Sequence, residues 1–260
     1  MDWEKYFDDK DEKPLDRLVE GYSHTSIFRT MAFIGDSLSS GEFEIRLDGE
    51  ATQYHDLYEY SWGQFIARKN GLKAYNFSRG GMSAGNYLKD FADDRGLWER
   101  AKACQAYVIA MGVNDLYGGN IELGTLDDIK EDYRDNAKTF LGNYAAIVMR
   151  YKKISPDAKF FFVTFPKGKG ENDEKTDGMI RVLYDLAGYF DNSYVIDLNK
   201  YGPAYDDEFR RRFYLNGHMN PQGYLFTAKL VDSYIDYIIR HNPEDFKYAG
   251  LIGTNIRYKK

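Results

Sequence analysis

Five short apolar runs alternate with helical periods along this chain, and that alternation limits its fold more than any other feature. The runs are MAFIG at 31–35, KAYNFS at 73–78, AYVIAMG at 106–112, FFFVTF at 160–165 and YVIDL at 194–198. Each is apolar nearly throughout rather than at every second position, as expected for strands covered on both faces of a parallel sheet. Between and after them lie helical stripes. Phe140, Tyr144, Ile147 and Tyr151 make one, which should stop before Pro156; Tyr224, Ala228, Val231, Ile235 and Ile238 make another. The second has a clear start, Asn220 as cap and Pro221 at the first helical position, and a clear end at Asn242-Pro243. The pattern predicts an α/β chain: a doubly wound, mainly five-stranded parallel sheet between two helical layers, a three-layer α/β/α sandwich. With 260 residues, no internal repeat and no Pro/Gly/Ser-rich linker, it reads as one domain over 1–260, with 1–29 and 242–260 as extensions packed on it.

Composition removes several function classes. A formal net charge of −6 argues against binding nucleic acid or an anionic membrane surface. No run reaches transmembrane length. The first residues, MDWEKYFDDKDEK, are acidic and carry no apolar signal region, so a cytoplasmic location is expected. The single cysteine, Cys104, excludes an intramolecular disulfide and argues against a thiolate metal site. Acid clusters such as FADD at 91–94 and YDDEF at 205–209 have no spaced histidines beside them and read as solvated surface. The glycines of PKGKG at 166–170 lack the Lys-Ser/Thr ending that grips a nucleotide. No metal and no cofactor are therefore expected. The oligomeric state is not encoded in any feature of this kind.

In a doubly wound sheet, ligands sit outside the carboxyl ends of the strands, so the chemistry should follow each run. After the first comes GDSLSSG, with Ser37; after the second NFSRGGMSAG, with Gly80 and Gly81; after the third MGVNDLY, with Asn114 and Asp115. Before the last helix comes YLNGHMNPQGY, with His218. Any one of these is ordinary, since Gly, Asp and Ser commonly end strands and cap helices. Together they hold a hydroxyl, a close-approach glycine, a carboxamide and an imidazole on one edge. Acyl transfer needs that set: a nucleophile, a base and donors for an oxyanion.

These blocks resemble the SGNH subgroup of the GDSL-type esterases and lipases: G-D-S-L at 35–38, the glycine turn at 76–81, G-x-N-D at 112–115 and H-x-N-x-x-G-Y at 218–224. They occur in the family's order and span most of the chain. The resemblance implies a flavodoxin-like SGNH hydrolase fold and hydrolysis of a carboxylic ester of a small molecule without cofactor. It implies Ser37 as nucleophile and His218 as general base, with the main-chain amides of Ser37 and Gly81 and the side chain of Asn114 as oxyanion donors. Asp36 and Asp115 read as loop-fixing acceptors.

One departure and one rival accompany the resemblance. The family usually carries an aspartate three residues before the histidine; here that position is Leu215. A substitute could be Asp197, Asp206, Asp207 or Glu208, the amide of Asn216, or a main-chain carbonyl. The rival is GMSAG at 81–85, a G-x-S-x-G match that offers Ser83 as nucleophile. For the substrate, the acidic stretch after Ser37, with Glu42, Glu44, Asp48 and Glu50, would repel anionic head groups. Tyr54, Tyr58, Tyr60 and Trp62 could lie against a sugar face, or could pack a helix on the sheet. A short acyl ester of a carbohydrate is expected. A lipase-like acylhydrolase, an acyltransferase and a silent carbohydrate- or lipid-binding module are the alternatives.

Overall fold

The computed structural model describes residues 9–256 and 258, so residues 1–8 of the expected amino-terminal extension, and 257, 259 and 260 of the carboxyl-terminal one, lie outside it. The central sheet consists of β1 (Thr30–Gly35), β4 (Lys73–Ser78), β5 (Ala106–Ala110), β6 (Lys159–Val163) and β7 (Ser193–Ile196), in the order β4-β1-β5-β6-β7. Every pairing in it is parallel. The apolar runs are explained by their two faces. Met31, Phe33, Val108 and Phe161 point into one core, and Ala32, Ile34, Ile109, Phe160 and Phe162 into the other. Helices α1 (Trp62–Asn70) and α4 (Pro221–His241) cover the first core, α2 (Phe140–Ile154) and α3 (Glu174–Tyr189) the second. This is the three-layer α/β/α arrangement expected from the sequence.

The helix limits follow their signals. Thr139 caps α2 by accepting from the Gly142 amide, and the helix ends at Ile154, ahead of Pro156. The Asn220 side chain accepts from the Gly223 amide at 2.9 Å to open α4, with Pro221 at its first position. Three runs leave the ladder earlier than their apolarity suggests. Gly112 turns away with φ +140°, and Asp197 caps a short helical turn by accepting from the Lys200 amide.

Two small antiparallel pairs were not expected. Strands β2 (Glu42–Ile45) and β3 (Gln53–Asp56) form a hairpin directly after the Ser37 turn, and β8 (Tyr214–Leu215) and β9 (His218–Met219) flank Asn216-Gly217. The described part of the carboxyl-terminal extension packs at the opposite, amino end of the sheet. There Gln105 and Arg29 donate to the carbonyls of Ala249, Gly250 and Ile252. Among the described residues, no helix is long and apolar enough to cross a membrane.

Candidate active site

The first three sequence blocks meet at the carboxyl edge of the sheet because their strands, β1, β4 and β5, are neighbours. In the β1–β4 register Gly35 lies beside Ser78, and the Arg79 amide donates to the Gly35 carbonyl. The Asn114 side chain donates to the Met82 carbonyl at 3.1 Å, joining the third block to the second. Asp115, fully buried, accepts from the Ala84 amide at 2.9 Å. Asp36 caps the single helical turn Ser37–Ser40 by accepting from the Leu38 amide. Both aspartates are thus loop acceptors, as their positions suggested. Burial pushes each carboxyl up to about 6, against the hydrogen bonds it accepts and, for Asp36, against the nearby His218.

Ser37 is half-buried at the first position of its turn, and Gly81 is exposed with φ +69°, a conformation suited to glycine. Among the described residues, neither the Ser37 nor the Gly81 amide has a protein acceptor. Asn114 commits one of its two amide protons to Met82 and keeps the second. Ser83, by contrast, is buried in extended backbone, and its hydroxyl accepts from the Asn86 amide as a helix cap.

His218 arrives from a different quarter, on the β8–β9 pair. Asn216 adopts φ +58°, and the Asn-Gly pair turns the chain back so that Leu215 and His218 stand opposite each other. The imidazole lies against β2. Its Nε2 is 3.1 Å from Glu42 Oε1 and its Nδ1 3.3 Å from Glu44 Oε2. Glu44 is buried; its Oε2 also accepts from the Gly217 amide at 2.9 Å, while its Oε1 takes Arg46 Nε and Nη2 at 2.9 and 2.6 Å. Burial raises the Glu44 carboxyl, but the bonds from Arg46, Gly217 and His218 outweigh it and hold the group below its ordinary range. Glu42 is pushed the other way, by burial first and by the carboxylates of Asp56 and Glu44, against the pull of His218.

Each carboxylate closes over a glycine, so that a side chain there would force the carboxylate to shift. A Cβ on Gly80 would lie 2.1 Å from Glu42 Oε2, and one on Gly217 would lie 2.4 Å from Glu44 Oε2. Strand β2 itself is fixed from below, where the buried Tyr224 hydroxyl donates to the Glu42 carbonyl at 2.5 Å. Asp56 on β3 accepts from Ser40 Oγ, tying the hairpin to the Ser37 turn.

Sequence reasoning did not assign Glu42 and Glu44 to the histidine. It treated them as acids at the mouth, whereas both face His218. The substitutes it considered are engaged elsewhere: Asp206 and Asp197 cap helices, Asp207 pairs with Lys169, Glu208 with Arg212, and the Asn216 amide donates to the Glu44 carbonyl. The aromatic stretch divides. Trp62 packs edge-on against Phe33 in the core, but Tyr54 is 56% exposed and stands edge-on to the His218 ring at 5.8 Å. A cavity of about 70 Å³ lies beside the Ser37 turn, lined by Asp36, Leu38 and Ser39 and by mainly apolar side chains such as Val113, Phe165 and Met219. Among the described residues, no group of three or more His, Cys, Asp or Glu side chains could hold a metal ion.

Solved structures share the fold at low identity. One is a family two carbohydrate esterase from Clostridium thermocellum in complex with cellohexaose (TM-score 0.57, 15% identity, 85% of this chain and 66% of that one). Another is a carbohydrate acetylesterase from Sinorhizobium meliloti (TM-score 0.51, 15% identity, 81% and 99%). A third is a putative GDSL-like lipase from Bacteroides uniformis (TM-score 0.51, 18% identity, 80% and 93%). Among curated proteins none matches the chain. The GDSL-like lipase/acylhydrolase family model matches residues 33–225, a span that takes in all four blocks. The chain therefore belongs to the GDSL-like lipase/acylhydrolase family.

Proposed function

We propose that this protein is a serine-dependent ester hydrolase that removes a short acyl group, acetyl above all, from a carbohydrate or similar polyhydroxylated alcohol. The observation that supports this reading is that adjacent strand exits carry the half-buried Ser37, the Ser37 and Gly81 amides, which among the described residues have no protein acceptor, and the spare Asn114 proton, while β9 brings His218 against β2 and the Ser37 turn. In the reaction, His218 Nε2 takes the Ser37 hydroxyl proton as Oγ attacks the ester carbonyl. The negative charge that develops on the carbonyl oxygen is met by the amides of Ser37 and Gly81 and by Asn114 Nδ2. His218 then returns the proton to the departing alcohol, and water repeats the sequence on the acyl-serine. Ser83 is a poor rival, because its hydroxyl is buried and engaged as a cap.

The acyl preference is supported by a small, mainly apolar cavity that reaches the Ser37 turn through Asp36, Leu38 and Ser39. The alcohol preference rests on Tyr54, an exposed ring beside the histidine that can lie along a sugar face. Two of the fold relatives described above are carbohydrate esterases, which agrees with it. The test is kcat/KM on p-nitrophenyl acetate, butyrate and octanoate beside an acetylated xylo-oligosaccharide. Acetyl esters, the sugar acetate included, should be preferred. Preference for octanoate with no action on sugar acetates would replace this reading with a lipase-like one.

A further inference from the structure

Leu215 leaves the histidine without the acid usual in this family, and strand β2 offers a replacement from a distant part of the chain. Residues i and i+2 of a strand share a face. Glu42 and Glu44 accordingly both face the imidazole, while Phe43 between them packs edge-on against Tyr60 and at a tilt against Tyr224. We propose that Glu44 is the positioning residue that orients His218, taking over from the β2 hairpin the task that Leu215 cannot perform. The inference rests on the ester-hydrolase reading for its kinetic part and on geometry for the rest.

An ionised carboxylate only accepts hydrogen bonds. Glu44 is held ionised by Arg46 on one oxygen and by the Gly217 amide on the other. The oxygen that takes Gly217 is the one 3.3 Å from His218 Nδ1, so the ionised Glu44 calls for a proton on Nδ1. Glu42 Oε1, 3.1 Å from Nε2, makes the same demand on the other nitrogen when ionised; its carboxyl is the one of the two pushed up, so it is the one that takes a proton, donates it to Nε2 and leaves that nitrogen an acceptor that the serine can use in its place. When Nε2 gains the serine proton, the positive ring lies beside a fixed negative charge. The distance from Nδ1 to Glu44 is at the long end for such a bond, as is common before substrate tightens a site. The histidine turn is also built around Glu44. Asn216 donates to its carbonyl at 3.2 Å, and a Cβ at position 217 would lie 2.4 Å from its Oε2 and push the carboxylate out of place. A residue that served only to fill space would not need both ends held by the same three-residue turn.

Two measurements decide it. In wild-type protein carrying ¹⁵N-labelled histidine, with the His218 signals assigned by their loss in His218→Ala, the neutral ring should bear its proton on Nδ1. This reading needs no substrate, so it stands apart from any failure of the esterase assignment. Kinetically, Glu44→Gln should lower kcat about 10²- to 10⁴-fold with KM nearly unchanged. In a His218→Ala background the same change should cost almost nothing, because the group it orients is gone. A bare Nδ1 in the wild type overturns the proposal. So does an equal loss in both backgrounds, or a loss carried by KM. Should Glu44→Gln fail to fold, the wild-type tautomer alone decides.

Discussion

Ser37, Gly81 and Asn114 stand on turns that follow three adjacent strands of one parallel sheet, whereas His218 stands on a two-residue strand leaning on a hairpin 174 residues earlier in the chain. The first group is positioned by ladders, capped turns and the buried Asp36 and Asp115. The second is positioned by side chains: two carboxylates, a tyrosine hydroxyl and an Asn-Gly turn. A sheet edge tolerates changes in its loops because the strands hold the exits in place. A histidine held by contacts between two small hairpins depends on each contact. The comparison therefore assigns the serine side to the fold and the histidine side to a few local bonds.

Substitutions on the two sides should differ in kind. On the sheet edge, Asn114→Ala removes a donor that becomes important only as charge develops. It should lower kcat about 10²- to 10³-fold with little change in KM, as read from initial rates on p-nitrophenyl acetate. An unchanged kcat would take Asn114 out of the edge's chemistry.

On the histidine side the two carboxylates should oppose each other. Glu42 Oε1 sits at Nε2, the atom that the proposed reaction needs for the serine proton, so under that proposal it competes with Ser37 for the same ring atom. Removing a competing bond of about 0.5–1.5 kcal/mol should raise kcat/KM about two- to tenfold in Glu42→Ala. A large loss there would show that Glu42 works with Ser37 rather than against it.

The smallest effect separates the two sides by pH. Burial raises Asp36 and Asp115 to about 6, so the folded edge holds their protons more tightly than the unfolded chain does. Their contribution to stability grows as pH falls through about 6 towards the ordinary carboxylate value near 4. Glu44 is lowered, so its contribution is present above the ordinary glutamate value and is lost as pH falls below about 4. Hydrogen-exchange protection, corrected for intrinsic rates, should rise at the Ala84 amide between pH 7 and 5. It should fall at the Gly217 amide only below about pH 4. Parallel behaviour at both amides would erase the distinction.

The same division governs what could be read from the sequence. The five strands, their shared edge and the blocks after them were legible because buried parallel strands are apolar on both faces and ligands gather at their carboxyl ends. The β2–β3 hairpin was not, because Glu42 and Glu44 put charge on one face of a four-residue strand that pairs only with its own neighbour. Leu-Asn-Gly-His did carry a turn signal, which the H-x-N-x-x-G-Y pattern overlapped and obscured. Spacing along the chain cannot reveal that Glu44 meets His218, since the contact is made by two hairpins meeting in space. Tyr224 offers a partial clue in retrospect: the last residue of the histidine block holds the β2 carbonyl.

The central claim, that Ser37 is the nucleophile of this family member, is tested most directly by covalent labelling. The protein is treated with a fluorophosphonate, and the modified residue is located by peptide mass spectrometry in wild type, Ser37→Ala and Ser83→Ala. A single adduct on Ser37, lost in Ser37→Ala together with several powers of ten in kcat and retained in Ser83→Ala, is the expected result. An adduct on Ser83, or an active Ser37→Ala enzyme, would contradict it.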